Sequence, residues 1–182
     1  VFKIWMKLLK NNKNSILWLL EDNPTSCKNL RLEASLEGIK SERIIFAKRI
    51  PVDEHLVRHK VADLFIDTFP YTAHTTCSDS LWAGLPVLTY IGESFASRVA
   101  ASLLNAIDLP ELIASSKNEY EAMAIKIMND PNYLKEIKTK LEKNKLEKPL
   151  FNTKLFTKHL EMAFTKMQQR FNENKKLENI EI

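Results

Sequence analysis

The sequence predicts an α/β fold built on a parallel, doubly wound sheet, and three observations carry that prediction. Short continuous apolar runs alternate with amphipathic stretches of helical period, the pattern of repeated strand–helix units. The run Asp63-Leu64-Phe65-Ile66-Asp67 passes through a polar loop into His74-Thr75-Thr76-Cys77-Ser78-Asp79, and a second run, Pro86-Val87-Leu88-Thr89-Tyr90, follows it. A length of 182 residues with 45% hydrophobic and 27% charged side chains fits one ordinary domain able to bury a core.

The elements follow in order. Phe2, Trp5, Met6 and Leu9 recur at helical spacing, so the chain opens inside a helix and is expected to be a fragment of something longer. Ser15-Ile16-Leu17-Trp18-Leu19-Leu20 is an unbroken apolar run, which predicts a strand covered on both faces. A turn over residues 21–24 leads to a helix over 26–36 with Leu30, Ala34 and Leu36 inward, and residues 43–47 form the second strand. Pro51 opens a helix to about residue 60, with Asp53 and Glu54 favourably placed in its first turn. Strands three and four cover residues 64–67 and 86–90, and the helix between them, about 76–83, is closed by Gly84. A further loop and helix run to Leu104.

The remainder reads as helical. Tyr120, Met123, Ala124, Ile127 and Met128 form one stripe, and Asp130-Pro131 caps a next helix with Leu134, Ile137 and Leu141 inward. Phe156, Leu160, Ala163, Phe164, Met167 and Phe171 form a terminal stripe expected to pack on a neighbouring domain or back over the sheet. Beyond Asn172 the tail is polar and expected to fray. The implied organisation is an α/β lobe over 1–147, a C-terminal helix over 148–174 and a polar tail over 175–182.

Composition narrows the function classes. A net charge of +4 is mild, much of the lysine lies after Lys135 on solvated helix faces, and Trp5, Trp18 and Trp82 sit on apolar stripes instead of among the basic residues. That pattern speaks against nucleic-acid binding. No apolar run approaches the roughly 20 residues needed to span a bilayer, and no signal-peptide pattern opens the chain, so a cytoplasmic protein without a membrane partner is expected. Cys27 and Cys77 have no partner at metal spacing and read as reduced, half-buried thiols. Cys77 stands at a helix start, where a thiol pKa can fall, yet it lacks a histidine in any nucleophile pattern and reads as a spacer. With 3 glycines and neither a Gly-x-Gly-x-x-Gly nor a Gly-x-x-x-x-Gly-Lys-Ser/Thr motif, a dinucleotide oxidoreductase or nucleoside triphosphatase is disfavoured. No Asp-x-Asp pair is present to carry a divalent metal, and Asp63 and Asp67, bracketing a buried strand, make a poor catalytic pair.

Ligands of doubly wound sheets bind beyond the carboxyl ends of the strands. The segments 50–59 and 72–79 both follow a strand, so they should converge on one crevice. At His74-Thr75-Thr76 a loop becomes a helix, offering unpaired N–H groups, a positive dipole end and hydroxyls suited to a phosphate. Asp79, one turn on, can accept from ribose hydroxyls. The competing reading makes Thr75 or Thr76 a plain helix N-cap and His74 a surface loop residue. His55 and Arg58, three apart on one helix face, could set a flat ring and a guanidinium against a base and sugar, or could simply be a solvated polar face. Arg98 reads as structural, paired with Glu93. If a nucleotide sugar binds, the helix N-terminus and basic residues must neutralise the leaving group, making the chemistry metal-independent.

These residues resemble the carboxyl-terminal half of the catalytic region of protein O-linked N-acetylglucosamine transferases, the nucleocytoplasmic family with tetratricopeptide repeats. The resemblance runs through Asn14-Ser15-Ile16-Leu17-Trp18-Leu19-Leu20, Arg43-Ile44-Ile45-Phe46, Ala62-Asp63, His74-Thr75-Thr76 with Asp79, and Leu81-Trp82-Ala83-Gly84. It continues through Gly92-Glu93-Ser94, Ala96-Ser97-Arg98-Val99-Ala100-Ala101-Ser102 and Pro149-Leu150-Phe151-Asn152-Thr153. It implies the Rossmann-like, donor-binding C-terminal lobe of a glycosyltransferase B-type fold. It also implies roles: His74, Thr75 and Thr76 meet a diphosphate, Asp79 lies by the ribose, His55 and Arg58 flank the nucleoside, and the backbone at Leu20 and Ile50 reads the uracil edge. The family often has lysine where Val52 stands, a departure that touches a peripheral nucleoside contact and not the phosphate site.

The family's diphosphate-gripping lysine lies just upstream of this chain and its proposed catalytic histidine in the amino-terminal lobe, so no catalytic residue is expected here. The implied function is the UDP-N-acetylglucosamine-binding lobe of an inverting protein O-GlcNAc transferase, using no metal or cofactor and inactive as this fragment. Its partners would be a UDP-sugar donor and a protein acceptor held by the missing lobe and repeats. Two rivals stand beside it: a related UDP-sugar transferase using, for example, glucose, and a non-catalytic protein-interaction module. Retention of His74 and Asp79 argues against the module.

Overall fold

A computed structural model describes residues 1–182. The helices are α1 Phe2–Asn11, α2 Pro24–Leu36, α3 Val52–Arg58, α4 Thr75–Trp82, α5 Val99–Ala106, α6 Lys117–Asn129, α7 Pro131–Glu147 and α8 Thr153–Asn172. Between them run the strands β1 Leu17–Leu20, β2 Ile44–Ala47, β3 Phe65–Ile66, β4 Val87–Tyr90 and β5 Ile113–Ala114.

Every strand pairing is parallel, as strand–helix alternation predicts. The hydrogen bonds form two ladders, β1–β2 and β3–β4–β5. Leu17 stands opposite Ile44 and Leu20 opposite Ala47 in the first; Phe65 pairs with Val87 and Thr89 with Ile113 in the second. Apolar contact joins the ladders: Ile66 of β3 packs against the cluster of Met6, Leu9, Leu17, Ala34, Ile39 and Ile44. The larger core gathers Cys77 and Leu81 of α4, Val87 of β4, Leu104 of α5, and Ile137 and Leu141 of α7. The elements that carry the strand ends are thus fixed from below by buried side chains.

Several expectations need correcting. β1 is covered on one face only: Leu17 is buried, whereas Trp18 and Leu20 are 36% and 40% exposed. In α2 the inward residues are Cys27 and Ala34, with Leu30 half-buried, and Leu36 is exposed. Leu36 lies two positions past Ala34, about 200° around the helix, on the opposite side. β5 is a strand the sequence pattern does not predict, because its apolar run, Leu112-Ile113-Ala114 between Glu111 and Ser115, is too short to stand out. Both cysteines are free and fully buried, not half-buried. Burial pushes the Cys77 thiol up to about 12, with the Asp67 charge adding to it, so desolvation outweighs the dipole expected to lower it.

α8 buries none of its residues, and Phe156, Phe164 and Phe171 stand well exposed, so its apolar stripe does not fold back over the sheet. The tail beyond it has no regular structure but returns toward α8: Arg170 pairs with Glu178 and donates to the Lys176 carbonyl at 2.8 Å.

Candidate phosphate-binding junction

The site begins with the end of β3. Asp67 is 1% exposed, and its carboxylate accepts three hydrogen bonds. Oδ1 receives the N–H groups of Thr68 at 2.7 Å and Ala73 at 2.8 Å, and Oδ2 receives the Thr89 hydroxyl from β4 at 2.7 Å. The Tyr120 hydroxyl of α6 donates to the Asp67 carbonyl at 2.8 Å. Phe69, followed by a cis peptide to Pro70, packs edge-on against Tyr90 and Tyr120. Thr72, also buried, donates both its N–H and its hydroxyl to the Ala96 carbonyl. The loop 67–73 is thereby tied to β4, α6 and the turn after β4.

That loop delivers His74 to the N-cap position of α4 at φ −109°, ψ −95°. Its ring stacks on Tyr71 at 4.7 Å, meets Phe95 edge-on at 6.1 Å, and places Nε2 3.4 Å from the Ala96 carbonyl. The helix it opens has no side-chain cap. Asn23, Ser116, Asp130 and Asn152 cap α2, α6, α7 and α8 by accepting backbone N–H groups. At α4 the first amides with partners are those of Cys77 and Ser78, both donating to the His74 carbonyl at 3.1 Å. No acceptor within the chain meets the N–H groups of Thr75 and Thr76, and both residues are exposed. The N-cap position is thus held by His74 and by neither threonine. Two amides without partners and two exposed threonine side chains stand at the positive end of α4, a set of donors of the kind that binds phosphate oxygens.

α3 carries the second set of expected residues. His55 lies edge-on to His59 at 4.5 Å, and the His59 Nδ1 sits 2.7 Å from the His55 carbonyl. Desolvation holds the His55 pKa below the ordinary histidine value, and the charges of His59 and Arg58 push the same way. The Asp79 carboxylate acts in the opposite sense, raising it. Arg58 spends one guanidinium N–H on the Lys48 carbonyl at 2.8 Å. Ile50, after β2, is 37% exposed, and neither its N–H nor its carbonyl has a backbone partner. Leu20, at the carboxyl end of β1, is likewise exposed.

Arg98 does not pair with Glu93; its guanidinium lies 3.5 Å from the Gly92 carbonyl. Asp63 is exposed and bonded to Lys138 at 3.0 Å, so the two aspartates flanking β3 live in opposite environments. Sequence reasoning missed Asp67, Thr72 and His59, all buried polar groups. The available signal was a carboxylate at the end of an apolar run, which burial must compensate with hydrogen bonds. No group of three or more His, Cys, Asp or Glu side chains is placed to hold a metal ion. No helix is long and apolar enough to cross a membrane. Two concavities lie apart from the junction, one of about 390 Å³ between α2 and β2 and one of about 760 Å³ along α8.

A parallel α/β unit of this kind is Rossmann-like, and its match to a solved O-GlcNAc transferase makes it a lobe of the glycosyltransferase B-type fold. The chain belongs to glycosyltransferase family 41, whose description as a family matches residues 1–160. It is 33% identical over 177 residues to a Caenorhabditis elegans protein named UDP-N-acetylglucosamine–peptide N-acetylglucosaminyltransferase. It is also 35% identical over 168 residues to the Arabidopsis thaliana protein named probable UDP-N-acetylglucosamine–peptide N-acetylglucosaminyltransferase SEC. Those alignments take in 97% and 92% of this chain but 15% and 17% of the relatives, so the chain spans less than a fifth of their length. A solved mutant of Thermobaculum terrenum O-GlcNAc transferase superimposes with a TM-score of 0.85 at 27% identity, covering 91% of this chain and 32% of that one.

Proposed function

We propose that this chain is the donor-binding lobe of a protein N-acetylglucosaminyltransferase, holding UDP-N-acetylglucosamine while the remainder of the protein supplies the acceptor site. The observation that carries the reading is the uncapped N-terminus of α4, where the Thr75 and Thr76 amides lack partners. In this reading the diphosphate sits on those amides and hydroxyls beside His74. The nucleoside extends toward His55 and Arg58, with its base against the backbone of Leu20 and Ile50 and its ribose against Asp79. The names of the relatives supply the sugar and the peptide acceptor.

The reaction is an inverting displacement at the anomeric carbon. A Ser or Thr hydroxyl of the acceptor attacks and gives its proton to a base in the remainder of the protein, the bond from that carbon to the phosphate oxygen breaks, and UDP departs with the bonding pair. Charge grows on the departing phosphate, and donors fixed before the reaction stabilise it without reorganising. The helix end and the neutral donors take the place of a divalent metal, and the sequence contains no Asp-x-Asp pair to carry one.

Calorimetry of the full-length protein with several uridine-linked sugars, with and without a peptide acceptor, tests the assignment. UDP-N-acetylglucosamine should bind most tightly among them. Failure to bind any uridine nucleotide would remove the reading, and a preference for UDP-glucose would reassign the sugar.

A further inference from the structure

We infer that Asp67 is a positioning residue for the phosphate junction: its carboxylate, braced by Thr89, sets where the open end of α4 presents the Thr75 and Thr76 amides. The inference rests on the donor-site reading above and adds a residue that touches no ligand. Three distances carry it. Asp67 Oδ2 is held at 2.7 Å by the Thr89 hydroxyl on the central strand β4, while Oδ1 holds Thr68 N–H at 2.7 Å and Ala73 N–H at 2.8 Å. One buried side chain thus clamps both ends of the loop 67–73, and Ala73 immediately precedes the N-cap residue His74. The Tyr120 hydroxyl fixes the same residue's carbonyl from α6, so the clamp is referenced to β4 and α6 together.

The work asked of Asp67 is geometric. A buried carboxylate that satisfies every donor aimed at it rigidifies the segment it holds, and its loss strands those donors. Asparagine reproduces the shape: its Oδ1 still accepts from Thr68 and Ala73, and its Nδ2 donates to the Thr89 oxygen after the hydroxyl turns. Alanine removes all three bonds. Valine at position 89 keeps the threonine shape and removes only the brace.

The test titrates UDP into the 182-residue chain and its Asp67→Asn, Asp67→Ala and Thr89→Val variants, and records the Thr75 and Thr76 amide resonances in each free protein. Leu9→Ala, a core change in α1 that lies in a different buried cluster from α4, is the stability control. Asp67→Ala should weaken UDP binding about tenfold and shift both amide resonances, with Thr89→Val weakening it less. Asp67→Asn should stay within about threefold of the parent, and Leu9→Ala should lower Tm without moving affinity or the two resonances. Should Asp67→Ala fail to fold, Thr89→Val decides, and parent-like affinity and resonances in it would overturn the inference. An Asn variant as weak as the Ala variant would show that charge, not geometry, matters, and would equally overturn it. If the unsubstituted chain binds no UDP, the donor-site reading falls and takes the positioning of a ligand site with it, while unmoved amides in Asp67→Ala refute the clamp itself.

Discussion

Thr76 is exposed and caps nothing, so its hydroxyl is free to act on a ligand. Thr76→Val keeps the shape and removes a hydroxyl that the proposed reading aims at charge developing on the departing diphosphate. Loss of one such donor costs on the order of 3 kcal/mol, about a hundredfold in turnover. Turnover of the full-length protein should fall by that amount while Tm barely moves; unchanged turnover, or loss only through unfolding, would return Thr76 to an ordinary surface residue. Removing Asp79 should instead weaken ribose recognition. His55 offers a second check at this scale. Burial lowers its folded pKa, so the unfolded chain takes up the proton first as pH falls. The stability gained from the neutral ring is therefore complete above about 6.5 and is lost as pH falls through the depressed value. An NMR titration should find the His55 midpoint below 6.5, and Asp79→Asn should lower it further, because the Asp79 carboxylate favours the charged ring. A midpoint unmoved by Asp79→Asn would mean that α3 and α4 do not share one site.

At the scale of the element, α4 is defined at both ends. Its C-terminal stop is Gly84 at φ +87°, where an added Cβ would also meet the Glu142 carboxylate. Gly84→Ala should therefore cost about 1–2 kcal/mol, read as a lowered denaturation midpoint; an unchanged midpoint would contradict the strained-turn account. α8 behaves differently. Since none of its residues is buried, ending the chain at Asn152 should move Tm by less than about 3 °C. A fall of ten degrees would show that α8 supports the lobe after all. Elements with a long period or a terminal signal were legible in the sequence: α6 and α7 from their stripes and Asp130-Pro131, α4 from Thr75-Thr76 and Gly84. β5 was not, because Ile113–Ala114 shows no period, and the partial exposure of β1 was not, because an unbroken apolar run does not say which face a neighbour covers. The junction was legible as residue types at a loop–helix boundary. The Asp67 clamp was not, because only the fold brings Thr89 and Ala73 to one carboxylate.

For the molecule as a whole, the proposed reading makes the sheet, the junction and α3 a donor shelf and leaves the acceptor site and the base to the rest of the protein. A general base must stand within hydrogen-bond reach of the attacking hydroxyl. The purified chain should transfer no sugar to a peptide, and detectable transfer in a radiolabelled-donor assay would place base and acceptor site within these 182 residues. The most direct measurement is a titration of this chain with UDP in the presence of a chelator, followed by amide resonances. The account predicts weak binding that persists without metal and is centred on Thr75 and Thr76. Binding that requires magnesium or manganese, or resonance changes confined to the groove between α2 and β2, would contradict it.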